Sequence, residues 1–317
     1  MISAPRILLV GAGQLGSRHL QGLVKITADC RIDILDPSTA ALALSRTRAD
    51  EIKGAERHQL RFLEDASDLN DDYDLGINAT TSRYRADSMK TTGPLAANWI
   101  IEKVLSQNLQ QMETIEHAVK GADNTWVNLM MRELGWLQEL YNALERETIT
   151  GFETSGKDWS LACNAIHHID LVAWLSRSQI TRVITDQLHD EWKPSKRDGN
   201  FDLLGTLKVD YDNGLEASFS SLEDGPDRIS QLTTNGKNWV IDEITAQVRC
   251  NDETVFSGVF DRQSDLTTTL AERVLSKLPL NLPRLEFAAA THRIFIAAML
   301  NYWQKTMARN DQHVPIT

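Results

Sequence analysis

Residues 7–19 read ILLVGAGQLGSRH, and the fold turns on this stretch. Ile7 to Val10 form an apolar run without polar alternation, the pattern of a parallel strand buried on both faces. The run leads straight into Gly11, Gly13 and Gly16, spaced G-x-G-x-x-G. Gly11 makes the tight turn, Gly13 lets a backbone approach a pyrophosphate, and Gly16 lets the next helix pack on the strand. That helix is expected from Gln14 to Ile26, with its first N–H groups free for phosphate. A second strand, Arg31 to Leu35, ends in Asp36, twenty residues past Gly16. A carboxylate there accepts hydrogen bonds from an adenosine ribose. Gly11, Gly13, Gln14, Leu15, Gly16 and Asp36 are the first cofactor-binding candidates.

The chain has 317 residues, enough for two domains, and a formal net charge of −11. An acidic chain without a basic block makes nucleic acid and anionic membranes poor partners. Cys30, Cys163 and Cys250 are far apart, and no C-x-x-C occurs. Structural zinc, a disulfide framework and a metal site are not expected. The N-terminus, MISAPRILLV, enters the first strand almost at once, so no signal peptide is expected. No apolar run approaches the ~18 residues that span a bilayer. A cytoplasmic location is the expectation.

Strand and helix patterns alternate over the first 120 or so residues. Ser38 to Arg48 reads as a helix with Ser38 as N-cap. Gln59 to Leu63 and Tyr73 to Ala79 read as strands, the latter ending in Thr80-Thr81-Ser82. Tyr84 to Thr92 reads as a helix, Asn98 to Ile101 as a strand ending in Glu102-Lys103, and Leu109 to Lys120 as a helix. This predicts a doubly wound parallel Rossmann sheet over residues 1–122. Ligands on such sheets bind outside the carboxyl ends of the strands, which adds Thr80, Thr81, Glu102 and Lys103 to the cofactor candidates.

The rhythm then changes. A strand from Thr125 to Met130 opens the second part, followed by a helix over Glu133 to Glu145 and a helix over Leu161 to Leu175. Thr181 to Val259 is mostly strands, with a hairpin signal at Asn213-Gly214. Helices Asp265 to Lys277 and Arg284 to Met307 end the chain. Residues 123–317 are therefore expected to form an α+β substrate domain with a large, mostly antiparallel open sheet. The open face of such a sheet suits pairing with a second copy, so a homodimer or homotetramer is expected.

Lys103 follows the apolar strand NWII and should emerge at the carboxyl edge. A lysine or a histidine can serve as base when an alcohol gives up a hydride and its hydroxyl proton. Glu102 either pairs with this lysine or caps the strand. On the helix, His167 and Asp170 share a face, while His168 points roughly 100° away. A carboxylate beside His167 would orient the ring. Asn128 and Arg132, on the first strand of the second domain and the turn after it, are candidates for touching substrate. Cys163 and His168 complete the substrate candidates.

GAGQLGSRH near the start, Glu102-Lys103 after a late Rossmann strand, and IHHID at 166–170 in this order resemble the Gfo/Idh/MocA oxidoreductases. The resemblance spans nearly the whole chain. It implies a nicotinamide cofactor, a sugar-like or polyol substrate, and a catalytic set at Lys103, His167 and Asp170. Three positions depart from the family pattern. Val104 stands where the family commonly has Pro. Arg85 stands where a His is expected after the fourth strand. Cys163 stands four residues before His167, where many members carry Asp. Asp36 without an adjacent arginine favours NAD over NADP, with NADP open as a family exception. The expected function is oxidoreduction at a secondary alcohol of a sugar, polyol or nucleotide-sugar. Cys163 keeps one alternative open, a sensor or regulator that binds without turnover; a lyase or epimerase that recycles its nicotinamide is a third reading.

Overall fold

The computed structural model describes residues 4–70 and 72–317. Met1 to Ser3, the start of the N-terminal stretch read above, lie outside the described residues. The chain divides into two compact units. One holds residues up to Ser106, Gln110–Asn128 and Asp261–Leu285; the other holds Gln107–Leu109, Leu129–Phe260 and Glu286–Thr317.

Unit 1 contains strands β1 (Arg6–Val10), β2 (Arg31–Leu35), β3 (Gln59–Leu63), β4 (Leu75–Asn78), β5 (Asn98–Ile101) and β6 (Asn124–Val127). They form one sheet, ordered β3-β2-β1-β4-β5-β6, with every pair parallel. The order reverses direction at β1/β4, the switch point where such sheets open a crevice for ligands. Ile7, Leu8 and Leu9 are completely buried, as the unbroken apolar run requires. Helices α1 (Gln14–Leu23), α2 (Thr39–Asp50), α3 (Ser82–Thr92) and α4 (Leu109–Ala118) connect the strands. Ser38 caps α2, its side chain accepting from Ala41 N at 3.3 Å.

β6 corrects the sequence reading. Residues 125–130 were expected to open the second domain, but β6 is the last strand of the Rossmann sheet, in parallel register with β5. Trp126 and Val127 gain burial there, and the free edge is covered. Val127 N donates to Pro283 O at 3.0 Å, and the Arg284 guanidinium lies 5.2 Å from the Trp126 ring centroid. The chain ends this strand at Val127 and turns through a short 3₁₀ segment, Met130–Glu133.

Unit 2 contains α5 (Gly135–Ala143), β7 (Ile149–Lys157), α6 (Leu161–Ser176), β8 (Ile180–Leu188) and the short pair β9 (Lys193–Pro194) and β10 (Phe201–Asp202). Then follow β11 (Gly205–Tyr211), β12 (Glu216–Leu222), β13 (Ile229–Thr234), β14 (Lys237–Asp242), β15 (Gln247–Cys250) and β16 (Glu253–Ser257). The eight-stranded sheet runs β16-β15-β14-β13-β7-β12-β11-β8. Only β7 and β12 pair in parallel; the other pairs are antiparallel. Alternating residues of β11 and β12 are buried, as a sheet with one packed face requires. α6 packs on that face and is buried over most of its surface. The hairpin read at Asn213-Gly214 joins β11 to β12, with Gly214 at φ +84°.

Two helices close the chain. α7 (Gln263–Leu275) belongs to unit 1, although a single boundary near residue 122 had placed it in the second domain. It packs on α1 through Gly22, where a Cβ would lie 2.2 Å from Ser264 O. α8 (Leu285–Met307) runs for 23 residues, and its residues from Glu286 onward lie in unit 2. No helix among the described residues is long and apolar enough to cross a membrane.

Candidate active site

In unit 1 the glycine loop joins β1 to α1 in a tightly packed turn. Gly11 sits at φ +91°, and a Cβ there would meet Thr80 N at 2.8 Å. A Cβ on Gly16 would lie 1.8 Å from Gly11 O, so no other residue lets α1 pack so close. Gly13 differs from both: nothing lies within 4 Å of its Cβ position, and the space above it is open. α1 begins at Gly13 with no capping side chain and no acid in its first turn. Its leading N–H groups and dipole are therefore left for an external anion. Arg48 fixes this turn, donating to Gln14 O at 3.0 Å, Gln14 Oε1 at 2.7 Å and Ser17 Oγ at 2.6 Å. Leu15, on the same turn, is half-buried.

Asp36 closes the loop from the end of β2. Its Oδ2 accepts from Ala12 N at 2.7 Å and its Oδ1 from Ser38 N at 2.9 Å. At the end of β4, Thr80 donates to Asn78 Oδ1 at 2.6 Å, and Thr81 precedes α3 as its N-cap. Arg85, buried beneath this loop, donates to Thr80 O and to Val104 O. It therefore joins the turn after β4 to the turn that carries Lys103. The Lys103–Val104 peptide bond is cis.

Glu102 is buried, and its partner is His19. His19 Nε2 lies 3.0 Å from Glu102 Oε1, and Asn128 Nδ2 donates to the same oxygen. Burial alone would raise the Glu102 pKa. The His19 hydrogen bond and charge, the Asn128 amide and the Arg85 charge outweigh it and bring it down to about 2. His19 Nδ1 faces Thr267 Oγ1 at 2.9 Å, and that hydroxyl donates its own proton to Gln263 O at 2.7 Å. Both ring nitrogens thus lie within hydrogen-bonding distance of an oxygen atom. Asn128 belongs to this unit, after β6, and its amide also donates to Gln263 Oε1 at 3.3 Å. These residues meet the requirements of a dinucleotide: open space over Gly13, an uncapped helix start, and an acid at the end of β2.

Unit 2 holds a second constellation. Arg132, in the turn Met130–Glu133, donates through Nε and Nη2 to the two oxygens of Asp170 at 2.8 and 2.6 Å. Burial pushes the Asp170 pKa up, and Arg132 opposes it. The sequence paired Asp170 with His167; the structure commits both of its oxygens to Arg132.

A cavity of about 180 Å³ is lined by Met130, Met131, Asn164, His167, His168, Arg228, Glu243 and Phe260. His167 and His168 both reach it, whereas the helical angle between them suggested that His168 faces elsewhere. The wall wraps around the flank of α6, so two neighbouring residues share it. His168 is buried with its ring 5.1 Å from that of Trp159 and its Nε2 3.6 Å from Glu243 Oε1. Burial and the Arg228 charge push its pKa well down, so it is neutral. Cys163 is buried at the start of α6, with Sγ 4.0 Å from Phe201 O, and is not among the cavity-lining residues. The first turn of α6 is instead met by Asp202, whose Oδ1 accepts from Ala162 N at 2.8 Å.

Sequence reasoning missed Arg228 and Glu243. The signal was present: Asn235-Gly236 is a two-residue turn between two strand patterns, and it pairs Thr234 with Lys237. The same register pairs Ser230 with Ile241, and continuing it brings residue 228 opposite 243. Their side chains meet, with Arg228 Nη2 donating to Glu243 Oε2 at 2.6 Å. Among the described residues no group of three or more His, Cys, Asp or Glu is placed to hold a metal ion.

In fold the chain is similar to solved oxidoreductases and inositol dehydrogenases. An oxidoreductase from Agrobacterium radiobacter, solved in complex with NAD+, L-tartaric acid and magnesium, is 12% identical, with 98% of each chain covered and a TM-score of 0.70. Myo-inositol dehydrogenase from Lactobacillus casei, solved with NAD(H) and myo-inositol, is 13% identical over 96% of each chain, with a TM-score of 0.68. Myo-inositol 2-dehydrogenase from Lactobacillus plantarum is 15% identical over 93% of this chain and 96% of its own, with a TM-score of 0.69. At such identities the likeness is one of fold. No protein-family model matches the sequence, and no curated protein sequence matches it.

Proposed function

We propose that this chain is an NAD-dependent oxidoreductase that oxidises a secondary alcohol of a small polyol or sugar. The observation that carries this reading is the uncapped start of α1. It has open space over Gly13 and Asp36 hydrogen-bonded to the loop at Ala12. Gly11, Gly13, Gln14, Leu15 and Gly16 would hold the pyrophosphate, and Asp36 would accept from the adenosine ribose hydroxyls. Thr80, Thr81, Glu102 and Lys103 would line the same edge. Bound there, the nicotinamide supplies the acceptor for a hydride. Fold neighbours solved with NAD(H) and scyllo-inositol or myo-inositol support the same assignment.

The chain's own residues supply the rest. The cavity of unit 2 mixes donors and acceptors on Asn164, His167, Arg228 and Glu243 with an apolar wall of Met130, Met131 and Phe260. Such a mixture suits a small ligand rich in hydroxyls. Lys103 or His167 takes the hydroxyl proton as the alcohol is oxidised. Asp170 acts through Arg132, fixing the turn that carries Met130 and Met131, rather than by moving a proton. Cytoplasmic location and assembly into a homodimer or homotetramer through the outer face of the unit 2 sheet belong to the same reading. That face carries charges of both signs, Arg182 and Lys208 beside Glu153, Asp210 and Glu216, and a monomeric mass in light scattering would count against the assembly.

The test is a fluorescence titration with NADH, followed by turnover with a panel of neutral polyols and sugars in the presence of NAD. Saturable NADH binding and net NADH production with one class of alcohol are expected. Failure to bind NADH would overturn the assignment.

A further inference from the structure

We infer that Glu243 sets the charge of the unit 2 cavity, so that the site accepts a neutral vicinal diol and turns away a carboxylate ligand. This rests on the proposed reading of that cavity as the alcohol site.

Arg228 and Glu243 face each other from the open ends of β13 and β14. Arg228 Nη2 donates to Glu243 Oε2 at 2.6 Å. The guanidinium is held 5.4 Å from the Trp159 ring centroid, and Gly156 makes room for its backbone: a Cβ on Gly156 would lie 2.5 Å from Arg228 Cα. Glu243 is buried, with its side chain 7% exposed, while that of Arg228 is 26% exposed. The guanidinium therefore presents N–H groups to the cavity from a fixed position, and the carboxylate sits directly beside it.

Charge and hydrogen-bonding capacity follow from this. The arginine and glutamate cancel, and His168 is neutral, since burial and Arg228 hold its pKa down. A hydroxyl both donates and accepts, so one hydroxyl of a vicinal pair can accept from Arg228 while its neighbour donates to Glu243. A carboxylate only accepts. Against this wall it would gain the guanidinium and lose to the glutamate oxygens, with two anions desolvated together. The pair is thus an attractive element for diols and a repulsive one for hydroxy acids.

The experiment uses the full chain with NADH bound and follows its melting temperature and ligand affinity with two probes, myo-inositol and L-tartrate. For the wild type, myo-inositol should stabilise the complex and L-tartrate should not. In Glu243→Gln the guanidinium loses its counter-charge. Myo-inositol should weaken by at least ~10-fold and L-tartrate should strengthen by at least ~10-fold, the low end for exchanging one buried hydrogen-bonding partner. A purely structural glutamate would weaken both. Should Glu243→Gln fail to fold, the double variant Arg228→Met with Glu243→Gln leaves no unpaired charge and should lose myo-inositol by the same factor; unchanged affinity there overturns the inference. A wild type that binds L-tartrate in preference to myo-inositol overturns it too, while leaving the oxidoreductase reading intact. NADH binding without stabilisation by either probe, in wild type and variants alike, overturns the alcohol-site reading and the inference with it.

Discussion

His19, at the end of the glycine motif, donates to Glu102, at the end of β5, across 3.0 Å in the interior of unit 1. The pair ties α1 to the strand end that carries Lys103. Glu102 keeps its charge in the fold, with a pKa of about 2 against an ordinary 4.5. Between those values the unfolded chain holds the proton and the folded chain does not. The stabilisation is therefore complete above pH 4.5 and is lost as pH falls toward 2. Denaturant titrations between pH 5 and pH 2 should show wild-type stability dropping steeply. Glu102→Gln should be less stable at neutral pH by roughly 3–5 kcal/mol, the cost of removing one partner of a buried pair, and flatter over the acid range. Parallel curves for the two proteins would mean that the pair contributes nothing.

Asp36 should select NAD. Its carboxylate stands at the end of β2 and would repel a 2′-phosphate while accepting from a 2′-hydroxyl. NADH should bind more tightly than NADPH in fluorescence titrations, and Asp36→Ala should narrow the gap by about tenfold, or ~1.4 kcal/mol. Equal affinity for the two cofactors in the wild type contradicts the assignment.

Lys103 should matter for turnover and little for cofactor binding. Its turn is held by Arg85, which joins Val104 O to Thr80 O from below. Lys103→Ala should lower turnover by at least ~100-fold, the low end for general acid–base catalysis, with NADH affinity retained. Near-normal turnover would remove Lys103 from the chemistry.

The parallel sheet was legible because its signals are local. An unbroken apolar run, glycines at fixed spacing and an acid at the next strand end all sit within 30 residues, from Ile7 to Asp36. The antiparallel sheet was legible as a class, and its hairpins as turns. β6 was misassigned because Asn124–Val127 carries no mark of which sheet it joins. That depends on Pro283 and Arg284, far away in sequence. The same limit applies to the cavity. His167 was visible through its helix, but Glu243 and Arg228 needed the β13–β14 register to become neighbours. The pairing of Asp170 with Arg132 is tertiary too: helical geometry placed Asp170 on the face of His167 and was silent about the arginine arriving from another turn.

Arg132 and Asp170 test that last point. Asp170 is buried with both oxygens on the one guanidinium, which is itself 17% exposed. Arg132→Met should cost roughly 3–5 kcal/mol, because it strands a buried carboxylate. Arg132→Met together with Asp170→Leu should recover much of that loss, since an apolar pair leaves no charge behind. Chemical denaturation of the two variants measures both. A single variant as stable as the wild type would show that Asp170 has another partner of equal worth.

Cys163 tests whether the thiol on α6 takes part in the chemistry. It lies one helical turn before His167, where a carboxylate would hold the imidazole and favour its charged form. A thiol is a weak donor and a weaker acceptor, so it can do little of either. In the structure its sulfur is buried, facing Phe201 O at 4.0 Å, and Asp202 already serves the helix start through Ala162 N. The thiol thus packs against β10 rather than lining the cavity. Cys163→Ala should keep turnover within a few-fold of wild type, because no proton passes through the sulfur, and should cost only about 1 kcal/mol in stability, the usual scale for a point substitution. Cys163→Asp puts a second carboxylate beside Asp202 in a buried setting and should destabilise the chain more than Cys163→Ala does. Assays with a substrate identified from the polyol panel, alongside denaturation curves, read both effects. A thousandfold loss of turnover in Cys163→Ala with NADH binding intact would place the thiol in the reaction and overturn this account of α6.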